Sequence, residues 1–85
     1  MKNARYYKNI ADEARRKELE KADMLAREIV EANDEEIAKL AAKGKYRAEF
    51  VVHPSNVGLI VTQLYKENGY IADYDGSVVT VIWGD

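Results

Sequence analysis

The sequence predicts an α+β fold: a long N-terminal helix followed by a β-α-β-β unit with a three-stranded mixed sheet. Three observations predict it. Residues 1–43 contain no Pro and no Gly and are rich in Ala, Glu, Lys, Arg and Leu, which are good helix formers. After Gly44 the spacing of apolar residues changes from three-and-four to two. Near the end, Asp75-Gly76 stands between two apolar runs, a strong hairpin signal.

The first half reads as one helix. Glu13 and Lys17, Asp23 and Arg27, and Glu35 and Lys39 are spaced i,i+4 with the acid first, the better orientation for helical ion pairs. Gly44 closes the segment, with Lys39 and Lys43 in the last turn. Ala22, Ala26, Ile29, Val30, Ile37, Leu40 and Ala41 form one apolar face. Tyr6, Tyr7, Ile10, Ala11 and Ala14 form a separate patch. Residues 15–21 between them have only Leu19 as an apolar residue.

Asn33 admits two readings. It caps a second helix, with Glu36 completing a capping box, or it sits inside one continuous helix on the apolar stripe. Its phase between Ile29 and Ile37 favours continuity. A buried Asn in a helical seam fixes register between helices, whereas a half-exposed Asn at a kink needs no such role.

A helix of about 40 residues spans about 60 Å, while a compact chain of this size has a radius of gyration near 12 Å. The first half of the helix must therefore project, fold back, or pack on another copy. The chain divides into a helical oligomerisation element, residues 1–43, and a β-α-β-β mini-domain, residues 44–85.

Residues 46–53, "YRAEFVVH", alternate as a half-buried strand. Tyr46, Ala48, Phe50 and Val52 face one way; Arg47, Glu49, Val51 and His53 face the other. A short helix follows, with Val57, Ile60, Val61 and Leu64 on one face. Ser55 or Asn56 is its expected cap, and Asn68-Gly69 its end. The hairpin around Asp75-Gly76 then pairs Tyr74 with Ser77, Ala72 with Val79 and Tyr70 with Val81. The last strand is apolar on both faces, which suits a central strand or one covered by a partner. A right-handed crossover makes the first two strands parallel, and placing the apolar last strand between them gives the spatial order 1-3-2.

Composition narrows the function classes. The chain has 85 residues, 13 basic against 15 acidic, and no Cys. A core this size contributes only about 3–5 kcal/mol, and neither disulfides nor a zinc site supplements it, so oligomerisation is the expected aid. The lack of Cys fits an intracellular protein. The acidic balance argues against a general nucleic-acid binder. The first residues lack a signal peptide's apolar core, and no run approaches a membrane span. The residues imply no cofactor and no metal.

The second half resembles a loose pattern in small tailed-phage and prophage proteins. The resemblance rests on "AAKGKY", "LYKENGY" and "VVTVIW", at Gly44, Lys45, Tyr46, Leu64, Gly69, Tyr70, Val79, Val81 and Trp83. It covers residues ~37–83 and its motifs are structural. It implies an accessory or virion-associated protein, in host cytoplasm or virion, and assigns no catalytic residue.

Two candidate sites follow. His53, Ser55, Asn56, Asp75 and Ser77 converge at one end of the sheet, where the N–H groups opening the short helix favour an anion. The same letters also read as a strand end and a helix cap. The second site is an interface built from Tyr6, Tyr7, Ile10 and Ala14, with Asn33 in the helical seam, because exposed aromatics are favoured at interfaces. No catalytic residues are expected, since one His and no Cys do not make a triad. The expectation is a non-enzymatic interaction protein that forms a homo-oligomer through its helix and binds a phage or host protein. A nucleotide-sequestering anti-defence protein is the alternative, and a nucleic-acid adaptor the second.

Overall fold

Helix formers without a breaker give one helix, α1 (Ala4–Ala42), which runs through Asn33 without interruption. The structure is a computed structural model that describes residues 1–84. Asn3 caps α1, its side chain accepting from the Tyr6 N–H at 3.0 Å, which satisfies one of the donors a helix start leaves open. At the other end the Gly44 N–H reaches the Ala41 carbonyl and the Lys45 N–H reaches the Leu40 carbonyl, both at 3.0 Å. This crossed pair is the common way a helix satisfies its last carbonyls.

The remaining elements are β1 (Arg47–Val51), α2 (Ser55–Glu67), β2 (Ile71–Tyr74) and β3 (Val78–Ile82). α2 ends as α1 does, with Gly69 and Tyr70 donating back to Lys66 and Tyr65. Its start departs from expectation. Neither Ser55 nor Asn56 is the cap: Pro54 holds that position, with no side-chain capping bond. The Pro54 carbonyl receives the Val57 and Gly58 N–H groups at 3.0 and 3.1 Å, and Asn56 Oδ1 also accepts from Val57. The pyrrolidine ring fixes a φ compatible with this entry.

The strands lie in the order β1-β3-β2, as expected, and both ladders are antiparallel. The expected mixed sheet is therefore corrected. β1 and β2 do run in the same direction, but β3 separates them and no parallel ladder forms.

The hairpin register also differs. Tyr74 pairs with Val79 and Ala72 with Val81. Asp75 is the cause. Its Oδ1 accepts from the Ser77 and Val78 N–H groups at 2.9 and 2.7 Å, and its own N–H donates to the Val78 carbonyl at 3.2 Å. The turn thus centres on Gly76-Ser77. Gly76, with φ of 102°, takes the first central position, where a hairpin demands positive φ. The slip is two residues, so every side chain keeps its face.

Both helices cover the same face of the sheet. Ala48, Val52, Ala72, Val79 and Val81 from the strand segments are buried with Val57, Val61 and Tyr65 of α2 and Ala22, Ala26 and Ile37 of α1. α1 packs chiefly on α2 and touches β1 only lightly. The core therefore crosses the boundary drawn at residue 43: the second half of α1 belongs to it. The opposite sheet face is open, with Val51 and Ile71 exposed beside half-buried Val78 and Ile82.

The molecule measures 64 × 20 × 20 Å, with a radius of gyration of 16.9 Å against about 12 Å for a compact chain. The excess length is the first half of α1.

Ala26 is fully buried, whereas Leu19 is 60 % exposed on the same helix. Ala26→Leu should cost about 1–3 kcal/mol by overpacking the helix seam, and Leu19→Ala should stay within about 0.5 kcal/mol. Urea unfolding compares them, and equal effects would contradict this placement of the core.

Candidate functional site: the uncovered arm of the long helix

Every residue from Met1 to Lys21 is exposed. Tyr6, Tyr7 and Ile10 stand 45, 58 and 52 % exposed, and Ala14 is exposed beside them. The Tyr6 and Tyr7 rings meet edge to face at 5.2 Å, and Lys2 Nζ lies 4.9 Å from the Tyr6 ring centre. A shallow groove runs along Tyr6, Ile10, Glu13, Ala14 and Lys17.

Helical phase shows that this patch is not a continuation of the core stripe. At about 100° per residue, Tyr6, Tyr7, Ile10 and Ala14 centre about a third of a turn around the helix from the stripe that carries Ala22, Ala26 and Ile37. Folding the core leaves the patch facing elsewhere.

The charged residues of α1 follow the same division. Lys8 pairs with Asp12 at 2.7 Å, Arg16 with Glu13 and Glu20, and Arg27 with Asp23 at 2.9 Å. Most of these residues stand away from the patch, and Glu13 lies at its edge, in the groove beside Ile10. Glu13 was expected to pair with Lys17 and instead takes Arg16. Among the described residues, Lys17, Glu18 and Lys21 join no ion pair, and they stand on or beside the patch side.

Asn33, expected at an interface, lies in the chain's own seam. Its Nδ2 is buried, as is the Tyr65 hydroxyl of α2, and neither has a hydrogen-bond partner. Burial pushes the Tyr65 phenol above its ordinary 10.0, and the neighbouring Asn33 side chain pulls the other way without closing a hydrogen bond. Tyr65 stacks edge to face on Tyr70 at 5.1 Å, and Tyr70 on Trp83 at 6.5 Å. Trp83 in turn donates to the Lys45 carbonyl at 3.0 Å, so this aromatic chain closes the end of the core nearest Gly44.

The other candidate residues do share one end of the sheet. Val51 pairs with Val78, and the Val52 N–H donates to the Ser77 carbonyl at 2.9 Å. This brings the His53–Asn56 corner beside the Asp75–Ser77 turn. All five side chains are exposed, and two are already engaged locally. Asn56 accepts from Val57, and Asp75 accepts from its own turn, whose backbone N–H groups hold its carboxyl below the ordinary carboxylate value. Beneath them Tyr74 donates to the Val52 carbonyl at 3.1 Å, and its ring occupies the place a Cβ on Gly58 would take. The corner is held by Tyr74 and Gly58, neither of which sequence reasoning singled out.

No protein-family model, curated protein or solved structure matches this chain. The residues themselves carry the functional reading.

Sequence reasoning also passed over Met24 and Leu25, which are 64 and 41 % exposed. Leu25 follows Tyr7 by eighteen residues, about five full turns, so both point the same way. That spacing was available in the sequence but was hidden by the neighbouring core positions Ala22 and Ala26. Among the described residues no group of three His, Cys, Asp or Glu is placed to hold a metal ion, and no helix is long and apolar enough to cross a membrane.

Two measurements check this geometry. Tyr65→Phe removes a hydroxyl with no partner, so stability at neutral pH should be unchanged or rise by up to about 1 kcal/mol. Above pH 10 the folded wild type holds the phenol proton more tightly than the unfolded chain, so its stability falls as pH rises. Tyr65→Phe should show the smaller alkaline loss, and equal losses would contradict the buried phenol. Gly58→Ala should destabilise despite a helix-propensity gain of about 1 kcal/mol. In a Tyr74→Ala background the same change should become neutral or favourable, and an unchanged penalty would show that Tyr74 is not the obstacle.

Proposed function

We propose that the chain is a non-enzymatic interaction protein that self-associates through the first half of α1. The observation that carries this reading is the patch of Tyr6, Tyr7 and Ile10, exposed on a 39-residue helix and turned away from the chain's own core. Large exposed apolar groups gathered on one face support association, and tyrosine is enriched at interfaces. Most helical stability in proteins comes from packing of an apolar face, and the arm buries none of its own, so a partner along it also stabilises the helix.

The open sheet face, with Val51, Ile71, Val78 and Ile82, supplies a second surface, on which we place the phage or host protein partner. That setting is the one the sequence pattern of residues ~37–83 leads us to propose. The alternative, a nucleotide-sequestering site at His53, Ser55 and Asn56, has less support because Asn56 and Asp75 accept from their own backbone. A nucleic-acid adaptor has the least, because the arm mixes both signs of charge.

Sedimentation of the wild type should show a mass above that of one chain, rising with concentration. Replacing Tyr6, Tyr7 and Ile10 together by Ser should return it to a single chain with unchanged urea unfolding of the core. A wild type that sediments as one chain at every concentration would overturn the reading.

A further inference from the structure

The arm carries enough pattern to fix the orientation of its partner. We propose that two copies pair antiparallel along α1, with Ile10 of each copy seated over Leu25 of the other and Tyr6 and Tyr7 reaching past it along the same exposed face. This rests on the self-association proposed above and adds its geometry.

Between Tyr6 and Leu25 the face turned to the second copy has three zones in chain order, and exposed Glu28 follows them, where the Tyr7 hydroxyl of the reversed copy comes to lie. Tyr6, Tyr7, Ile10 and Ala14 are apolar, Lys17, Glu18 and Lys21 are charged, and Met24 and Leu25 are apolar again. Apolar ends flanking a charged middle match themselves when one copy is reversed. Reversal lays Ile10 of one copy against Leu25 of the other, and the two-fold axis then passes near Lys17 and Glu18. Each Lys17 meets Glu18 of the second copy, so charges that have no ion-pair partner among the described residues gain one. Parallel pairing instead sets Lys17 on Lys17 and Lys21 on Lys21, and like charges in a helical seam select against that orientation.

The receiving end is also shaped for this role. A hollow of about 250 Å³ opens between α1 and the start of α2, lined by Glu18, Lys21, Ala22 and Leu25 of α1 and by Pro54, Asn56 and Val57. It lies where the reversed arm brings Ile10 and Ala14, opposite Leu25 and Lys21. Pro54 and Asn56 thereby acquire a role as one wall of the seat. A two-fold interface of this kind is isologous, with the same patches used twice, and it closes at two copies.

The chain contains no Cys, so single cysteines report orientation without background. Ile10→Cys and Leu25→Cys both alter exposed positions and should leave the circular dichroism unchanged. Under mild oxidation each variant alone should give little disulfide-linked dimer. An equimolar mixture should link about half of its chains, the share that random exchange places in mixed pairs. Strong self-linking of Ile10→Cys, with no gain on mixing, would overturn the antiparallel geometry and leave self-association intact. Absence of linking in every sample, together with a single-chain mass in sedimentation, would overturn the self-association itself.

Discussion

The seam between α1 and α2 governs the rest of the structure, because a helix of 13 residues covers only part of one of 39. α2 is about 20 Å long and α1 about 58 Å. Ala22, Ala26 and Ile37 are buried in α1, and the small alanine side chains let the helices approach closely. N-terminal to Ala22, every residue of α1 is exposed, with none of the described residues covering it. The hydrophobic contribution that stabilises a helix in a folded protein comes from its apolar face, and the first 21 residues bury none of theirs. Their helix rests on propensity, the Asn3 cap and surface ion pairs, each a small term.

That imbalance assigns different tasks to the two ends of the chain. The sheet and α2 form a closed core in which Val61, Val79 and Val81 are wholly buried. Tyr74 bolts β2 to the chain just after β1, and Trp83 ties the last strand segment to Lys45. These bonds hold α2 and the packed half of α1 in place, and so set the direction of the arm. The His53–Asn56 corner belongs to the same scaffold. Two of its polar groups, Asn56 and Asp75, serve the entry to α2 and the neighbouring turn.

Much of this was legible in the sequence, for identifiable reasons. The absence of Pro and Gly before Gly44 gave the helix, and the phase of Asn33 between Ile29 and Ile37 gave its continuity. Alternation in residues 46–53 gave the buried face of β1. What stayed hidden were features set by hydrogen bonds between particular atoms. Asp75 captures two N–H groups with one oxygen and moves the turn by one residue, which no apolar pattern records. Pro54 takes the capping position because its carbonyl, not a neighbouring side chain, reaches the first turn. In the candidate interface Tyr6, Tyr7 and Ile10 were legible by their isolation from the stripe. Asn33 was assigned to the same surface because one sequence position can serve either an internal or an external seam. Met24 and Leu25 were missed because core and surface positions interleave in that stretch.

The central claim is that α1 is one helix with two supports: its second half is held by its own core and its first half by another copy. Amide hydrogen exchange measured along α1 at several protein concentrations tests this most directly. The expected result is constant protection from Ala26 to Leu40, with protection from Tyr7 to Lys21 that is weak on dilution and rises with concentration. Protection of both halves that is equal and independent of concentration would contradict it.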